Sequence, residues 1–144
     1  MALEIKTASV DLVVNYMSQI LEIDRSHFGQ ESWCEDSFLA DLPLKFDVSL
    51  LMTEDDKLLG FCILSKKTGG IHLHKTAFLK GQLGKGLGTK MYDYLETNLI
   101  NLKMTLLPFK IPILNYQSLN FHFKRGFKIQ GVEGNYFIIS KNGK

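Results

Sequence analysis

A glycine- and lysine-rich stretch, LKGQLGKGLGTK, occupies residues 79–90 and leads directly into an amphipathic helical pattern. Glycine lets the backbone approach a ligand closely and adopt positive φ. The free amides and the dipole at the start of a helix favour an anion. Gly84, Gly86 and Gly88 therefore predict a phosphate site, which a pyrophosphate would fit; a plain strand-to-helix turn is the alternative.

Two familiar phosphate loops do not match this stretch. A P-loop places its lysine before Ser or Thr, whereas Thr89 precedes Lys90 here. The dinucleotide fingerprint Gly-x-Gly-x-x-Gly requires its third glycine one residue later than Gly88. The glycine pattern thus indicates an anion but does not by itself specify which one.

Three of the four histidines occupy positions where acid–base chemistry is possible. His72 and His74 alternate along a predicted strand, and His122 lies on a predicted helix. Imidazole titrates close to neutral pH, so it can accept or donate a proton during group transfer. Ordinary polar strand positions are the alternative for His72 and His74. A metal site is not expected, because no third ligand is evident.

The surrounding pattern predicts a mixture of helices and antiparallel hairpins. The fold class is therefore α+β (mixed α/β) and not a doubly wound parallel sheet. Gly126 is expected to end the last helix, whose apolar face is predicted to carry Leu119 and Phe123. Strands are expected at 3–8, 47–52, 58–65, 71–79, 104–107, 127–132 and 136–140, and helices at 10–23, at 34–42, from residue 87 and from residue 115.

Length and composition predict one domain, residues 1–144. Apolar residues make up 45% and charged residues 22%, which is typical of a globular protein. The N-terminus lacks the pattern of a signal peptide, no apolar run could span a membrane, and Cys34 and Cys62 lack metal-like spacing. A cytoplasmic protein with reduced cysteines is the expectation.

The net charge of +2 conceals a strong asymmetry between the two ends of the chain. Residues 1–60 hold 4 Lys/Arg and 12 Asp/Glu, whereas residues 61–144 hold 13 and 3. The acidic part suits a cation and the basic part suits a polyanion. Solvated surfaces with a chance imbalance are the alternative.

Two motifs together resemble the GCN5-related N-acetyltransferases (GNAT). LGKGLG (83–88) is similar to their Arg/Gln-x-x-Gly-x-Gly/Ala loop, although Leu83 stands where Arg or Gln is usual. NYQSLNFHFKRGFKIQG (115–131) is similar to their Asn-x-x-Ala-x-x-x-Tyr-x-x-x-Gly-Phe signature. FGQESWCEDSF (28–38) more faintly resembles the acceptor-side helix of ribosomal-protein alanine acetyltransferases.

The resemblance implies a single acyltransferase domain with a central, mostly antiparallel mixed sheet, flanked by about four helices and splayed where coenzyme A binds. Residues 1–65 would form the acceptor-side half and residues 66–144 the coenzyme-A-binding half. The implied activity is direct acetyl transfer from acetyl-coenzyme A to a primary amine of a small molecule, protein or peptide. Neither nucleic acid nor membrane is an expected partner, and a monomer or homodimer is expected.

The resemblance also implies which residues bind the cofactor. In the family the glycine loop holds the pyrophosphate, and a bulge in the fourth strand, here near Ala77–Phe78, presents an amide to the thioester carbonyl. The implied cofactor-binding residues are Ala77, Phe78, Leu83, Gly84, Lys85, Gly86, Leu87, Gly88, Thr89, Asn115 and Lys124.

The catalytic residues implied by the resemblance depart from the family pattern. His122 occupies the position of the family's Tyr, which donates a proton to the leaving thiolate; a packing role is the alternative. His72 falls where histone-type members carry a catalytic Glu and is the first candidate base, with His74 second. Lys110 stands five residues before Asn115, where the alanine acetyltransferases carry another glutamate.

The acceptor side is the least defined part of the sequence. Phe28, Glu31 and Trp33 are the candidate substrate residues, because an acidic, aromatic segment would attract a cationic amine. Packing into the core is the alternative for both aromatic residues. A polyamine, an aminoglycoside, an amino sugar and a protein N-terminus all remain possible acceptors.

Two other classes of function compete with the enzyme. The missing Tyr and carboxylate base motivate a non-catalytic acyl-coenzyme-A sensor or binding module on the same fold. The basic part of the chain motivates a nucleic-acid-binding domain, for which the sequence shows no recognisable motif.

Overall fold

The computed structural model describes residues 3–82 and 84–141, which form an α+β fold of seven strands and six α-helices. A short 3-10 turn, Gly29–Glu31, follows the second helix. The strands are β1 Leu3–Thr7, β2 Leu50–Glu54, β3 Lys57–Lys67, β4 Gly70–Phe78, β5 Phe109–Pro112, β6 Lys128–Glu133 and β7 Tyr136–Ser140. The helices are α1 Val10–Asn15, α2 Met17–Phe28, α3 Glu35–Leu39, α4 Lys45–Val48, α5 Leu87–Asn101 and α6 Tyr116–Lys124.

Two compact units divide the chain, Met1–Thr105 and Leu106–Lys144. The first contains a four-stranded sheet in the order β1-β2-β3-β4, and the second a three-stranded sheet in the order β5-β7-β6. All neighbouring strands are antiparallel. The predicted α+β class is confirmed, but the described strands form two antiparallel sheets instead of one mixed sheet, and six helices replace the expected four. The single domain with halves 1–65 and 66–144 stays a prediction.

The helix predicted over 10–23 is in fact two helices, α1 and α2, which meet at Tyr16. Tyr16 leaves helical geometry (φ −100°, ψ 11°) while its N–H still bonds the carbonyl of Leu12. The apolar stripe does not stay on one face through this break, since Val10 and Val14 are exposed. The sequence has no glycine or proline at this break. The apolar periodicity by itself therefore predicts one continuous helix.

A buried lysine explains why the second predicted strand starts late. Lys45 begins α4, and its Nζ donates to the carbonyl oxygens of Ser37, Phe38 and Ala40 at 2.9, 2.7 and 3.0 Å. These carbonyls lie at the end of α3, where a cation is favourable. Residues 45–48 are therefore held in a helical turn, and β2 begins only at Leu50. Helix α3 is correspondingly shorter than the predicted 34–42.

The β3–β4 hairpin forms one side of the first sheet, with β4 as the edge strand among the described strands. Strand β4 alternates as predicted, with Ile71, Leu73 and Ala77 buried and His72, His74, Thr76 and Phe78 half-buried. A bulge in the pairing leaves His74 without a partner in the ladder. The pairing is regular across Ala77 and Phe78, so the predicted position of the bulge is wrong. An extra residue at a bulge re-aims the side chains beside it.

The second unit has an aromatic core beneath α6. Asn115 caps α6, its side chain accepting from the Ser118 N–H at 3.2 Å, and Gly126 (φ +95°) follows the helix end, as predicted. Phe123, however, is 40% exposed, and His122 takes the buried position beside Leu119. The buried face therefore follows the i, i+3 spacing and not the predicted i, i+4 spacing.

The strand predicted at 104–107 is replaced by β5, Phe109–Pro112, with only a bridge at Leu106. Pro112 is tolerated because β5 lies at the edge of the sheet described here. The closing hairpin of β6 and β7 is confirmed. Over the described parts of the chain, no helix has both the length and the apolarity needed to cross a bilayer.

Candidate active site

The predicted phosphate site lies where the loop after β4 enters α5. Gly84 and Gly86 adopt positive φ, +77° and +73°, and Gly86 is the N-terminal cap residue of α5. Among the described residues, no side chain caps this helix. The first amides of a 15-residue helix therefore lack a side-chain acceptor, and its dipole favours an anion there.

The loop fits a phosphate group sterically as well. A Cβ built on Gly84 or on Gly86 meets no described atom within 4 Å, so the space beside this backbone is open. Leu87 is buried and fixes the first turn of α5 to the core, whereas Lys85 and Thr89 are exposed. The first turn of α5 is thus packed against the core, and the backbone beside it is open. Leu83, the residue at the family's Arg/Gln position, lies outside the described residues.

Ala77 and Phe78 occupy the end of β4, just before this loop. Ala77 is buried, and Phe78 pairs with Gly60 on β3. A Cβ on Gly60 would collide with the Phe78 ring and would lie 2.9 Å from the carbonyl oxygen of Ala77. Gly60 therefore allows the strand end to pack closely against β3. Close packing fixes the direction in which the chain enters the glycine loop.

The two strand histidines form a cluster with a serine from β3. The His74 Nε2 lies 2.7 Å from the Ser65 Oγ. The rings of His72 and His74 meet edge to face with centroids 4.5 Å apart, and the Trp33 ring lies 6.0 Å from His74. The structure thus brings the two candidate bases together with a candidate acceptor residue.

The surroundings of His74 disfavour its charged form. Burial is the largest cause, followed by the positive charges of His72, Lys67 and Lys45, and together they lower the pKa of His74 to about 4. His74 is therefore a neutral imidazole at neutral pH. A neutral imidazole can accept a proton or hold a neighbouring ring by hydrogen bonding.

This shift predicts that the protein loses stability in mild acid. Between the ordinary histidine value of 6.5 and the folded value of about 4, the unfolded chain binds a proton that folded His74 does not. Stability therefore falls as the pH drops through this window; His27 and His122, whose pKa values burial also lowers, act in the same direction. We expect His74→Gln to flatten the decline of Tm between pH 7 and pH 4.5.

Thr76→Val is the matched control, because it alters the next half-buried position of β4 without changing a titratable group. It should shift Tm equally at every pH. If His74→Gln retains the full wild-type slope, the assigned environment of His74 is wrong.

The position equivalent to the family's Tyr is buried in the second unit. His122 is 5% exposed, and its ring packs edge to face against Phe109, Phe121 and Phe127, with centroids 5.1–5.4 Å away. Its Nδ1 lies 2.7 Å from the Ser118 carbonyl oxygen, and since a carbonyl only accepts, Nδ1 carries the proton. Burial lowers the pKa of His122.

Two other predicted residues of the second unit have definite positions. Asn115 uses its side-chain oxygen to cap α6, and Lys124 is exposed at the end of that helix. Lys110, where a glutamate occurs in the alanine acetyltransferases, forms an exposed ion pair with Glu133 at 2.7 Å.

The candidate acceptor residues surround a buried ion pair that the sequence analysis did not identify. Lys75 Nζ lies 2.8 Å from Asp24 Oδ1, 4.4 Å from the centroid of the Phe28 ring and 4.6 Å from that of the Trp33 ring. Phe28 and Trp33 are half-buried and Glu31 is exposed. A signal was present, because Lys75 lies on the apolar side of β4 and Asp24 on the apolar face of α2, with opposite charges.

Within residues 3–82 and 84–141, no group of three or more His, Cys, Asp or Glu side chains could hold a metal ion. Cys34 is exposed and Cys62 is buried, and both are free thiols.

A family model described as "Acetyltransferase (GNAT) family" matches residues 15–127, which is most of the chain. None of the curated proteins matches the sequence. The chain belongs to the GNAT acetyltransferase family, as the two motifs predicted. It is therefore an acetyl-coenzyme-A-dependent acetyltransferase.

Solved structures show the same fold at low sequence identity. PaiA N-acetyltransferase from Thermoplasma acidophilum, in complex with coenzyme A, aligns over 96% of this chain and 98% of its own, with a TM-score of 0.78 and 16% identity. Ard1 from Thermoplasma volcanium aligns over 96% of both chains, with a TM-score of 0.82 and 17% identity.

A third neighbour is the ribosomal-protein-S18-alanine N-acetyltransferase from Escherichia coli. It aligns over 96% of this chain and 91% of its own, with a TM-score of 0.74 and 16% identity. At these identities the likeness establishes the fold and leaves the acceptor open.

Proposed function

We propose that this protein transfers an acetyl group directly from acetyl-coenzyme A to a primary amine of a small molecule, protein or peptide. The main support for this proposal is the backbone geometry at the start of α5, in a chain that belongs to the GNAT family. Two glycines at positive φ lead into a helix whose first amides have no side-chain cap among the described residues. Backbone amides of this kind bind phosphate groups.

The cofactor would be held chiefly by backbone groups of the loop and of the first turn of α5. Gly84 and Gly86 leave room for a pyrophosphate beside the amides, and the exposed Lys85 adds positive charge. We assign Gly88, in the first turn of α5, to the same site. We assign Leu83, Leu87 and Thr89 to the same contact surface. Ala77 and Phe78 at the end of β4, and Asn115 and Lys124 in the second unit, complete the proposed cofactor-binding residues.

When bound, acetyl-coenzyme A supplies the acetyl group as an activated thioester. The amine must lose a proton before it can attack, and we assign the base to His72. His72 is half-buried on β4 beside neutral His74. The ring contact limits the orientations open to the His72 imidazole, and His74 is the second candidate for the same role.

We assign proton donation to the leaving thiolate to His122. Because Nδ1 is bonded to the Ser118 carbonyl, a second proton at Nε2 exists only in the imidazolium form. Burial lowers the pKa of His122 below 6.5, so the imidazolium is a minority form at neutral pH, although it is a stronger acid than an exposed one. The surrounding phenylalanine rings would hold the ring in one orientation.

His122→Phe tests this assignment with little disturbance of packing, since Phe rings already surround the position. We expect kcat to fall by about 100-fold or more, as for loss of a general acid, while acetyl-coenzyme A affinity stays close to that of the wild type. Steady-state kinetics and calorimetry would measure the two quantities. Phe123→Leu, at the exposed neighbouring position, is the control. An unchanged kcat in His122→Phe would show that water or another group protonates the thiolate.

The acceptor amine is proposed to lie against Phe28, Glu31 and Trp33. The exposed Glu31 carboxylate attracts a cation, and the rings of Phe28 and Trp33 are half-buried. The acidic residues that follow this segment, Glu35, Asp36 and Asp41, are all exposed. No nucleic acid or membrane is needed for this chemistry, and we propose a monomer or homodimer as the working unit.

A non-catalytic acyl-coenzyme-A-binding module is the second candidate function. The burial of His122 and the engagement of its Nδ1 favour this candidate, because both restrict proton donation. Thiol release from acetyl-coenzyme A, measured over polyamines, aminoglycosides, amino sugars and peptides with free N-termini, separates the two functions. We expect at least one amine to accelerate release well above hydrolysis. Tight cofactor binding without acceleration by any amine would favour the binding module.

A further inference from the structure

A buried ion pair connects the segment of the candidate acceptor residues to the first sheet. Lys75 on β4 and Asp24 on α2 lie 51 residues apart in sequence, and their charged atoms are 2.8 Å apart. The two side chains are only 6% and 0% exposed. No step of the proposed transfer uses either charge.

Both partners also hold the backbone of residues 28–33, which we name the acceptor segment. Asp24 Oδ2 accepts a hydrogen bond from the Trp33 N–H at 2.6 Å, and Lys75 Nζ donates to the Glu31 carbonyl oxygen at 3.0 Å. Two charge-assisted hydrogen bonds therefore hold the backbone of the acceptor segment at Glu31 and at Trp33. Bonds to ionised groups are the stronger class of hydrogen bond in proteins.

The same ammonium orients the aromatic side chains of the acceptor segment. Lys75 Nζ lies 4.4 Å from the ring centroid of Phe28 and 4.6 Å from that of Trp33. A desolvated cation over an aromatic face is attracted by the ring. The positions of both rings thus depend on one buried side chain.

We propose that the Lys75–Asp24 pair is a positioning device that holds the acceptor segment in the conformation that receives the acceptor amine. This inference rests on the proposed function. A buried ion pair is weak support for stability by itself, because desolvation offsets the attraction between the charges. Here the pair satisfies backbone groups of Glu31 and Trp33 and orients two rings, so its main effect is on the geometry of one segment.

The main test variant is Asp24→Asn combined with Lys75→Met. Removing one partner alone would leave an uncompensated buried charge and could prevent folding. The double substitution removes both charges at similar volume, and asparagine still offers an oxygen to the Trp33 N–H. Lys75→Arg keeps the charge but changes the shape of the donor, and it provides the test if the double variant does not fold. The control is Glu4→Gln with Lys6→Met, which removes an exposed ion pair on β1.

Trp33 gives a direct readout, because it is the only tryptophan in the chain. Loss of the pair should move its emission to longer wavelength and increase quenching by acrylamide. The acceptor in this assay is the amine that most accelerates thiol release by the wild-type protein among the polyamines, aminoglycosides, amino sugars and peptides tested. We expect its KM to rise about tenfold, with a smaller change in kcat and acetyl-coenzyme A affinity unchanged. Lys75→Arg should change the same quantities in the same direction by less. The control pair should change none of them.

Two results would overturn the proposal. Unchanged Trp33 emission and quenching in the double variant, or in Lys75→Arg if that variant is the one that folds, would show that the pair does not hold the acceptor segment. Altered Trp33 emission with an unchanged KM for the amine would show that the segment does not receive the acceptor. Failure of the proposed function is distinguishable, because wild-type protein would then bind acetyl-coenzyme A without transferring acetyl to any amine.

Discussion

Gly86→Glu should lower the affinity for acetyl-coenzyme A by at least about 100-fold. The open space beside Gly86 at the start of α5 is where we place the pyrophosphate. A glutamate there would fill this space and offer its own carboxylate to the same amides. Its positive φ of +73° adds about 1–2 kcal/mol of backbone strain for any side chain with a Cβ.

Gly134→Glu is the matched control for this substitution. Gly134 has a φ of +58°, a Cβ there also meets no described atom within 4 Å, and it lies in the turn between β6 and β7. The control carries the same new charge and a similar strain, so calorimetry should show affinity close to that of the wild type. Normal affinity in Gly86→Glu itself would mean that the glycine loop does not bind the cofactor.

His72→Gln should lower kcat/KM for the amine on the order of 100-fold, which is typical for loss of a general base. Glutamine keeps a polar side chain of similar length beside His74 but cannot take up the proton of the amine. Acetyl-coenzyme A affinity should remain unchanged. The acid limb of the pH–rate profile, which reports the base, should disappear.

His27→Gln is the control, because His27 is a histidine of α2 with no assigned part in proton transfer, although its ring centroid lies 5.6 Å from that of Phe28. It should keep the wild-type kcat and the acid limb. If His72→Gln retains full activity and the acid limb, the base is not His72. His74→Gln would then be the next variant to measure in the same assay.

Local pattern was enough to predict the parts of the site that are contiguous in sequence. The glycine loop, the helix that follows it and the cap at Asn115 were predicted because turn and helix-start residues carry their own conformational preferences. The alternation of β4 was predicted because the side chains of a strand face opposite sides in turn. These features contain the proposed phosphate site and the two strand histidines.

The features that the sequence did not reveal depend on contacts between distant residues. The pairing of Lys75 with Asp24 joins two elements that periodicity treats separately. Lys45 converts the start of a predicted strand into a helical turn by bonding carbonyls of α3, which no local preference encodes. The bulge at His74 likewise follows from the register between β3 and β4.

In the second unit, the contacts of His122 with distant aromatic residues likewise could not be predicted from the sequence. The sequence placed His122 at the position of the family's Tyr, but it did not indicate that Phe109 and Phe127 would enclose the ring. Strand β5 starts directly after Pro108 and includes Pro112, at the edge of its sheet, and not at the predicted residues 104–107. Pairing with β7 outweighs the local preference there.

Calorimetric titration of the wild-type protein with acetyl-coenzyme A, compared with dephospho-coenzyme A and ATP, is the decisive measurement for the proposed cofactor site. We expect a dissociation constant in the micromolar range for acetyl-coenzyme A, well below that for ATP. This result would show that the glycines before α5 belong to a coenzyme A site. No binding, or a preference for ATP, would show that they do not and would remove the roles proposed for His72 and His122.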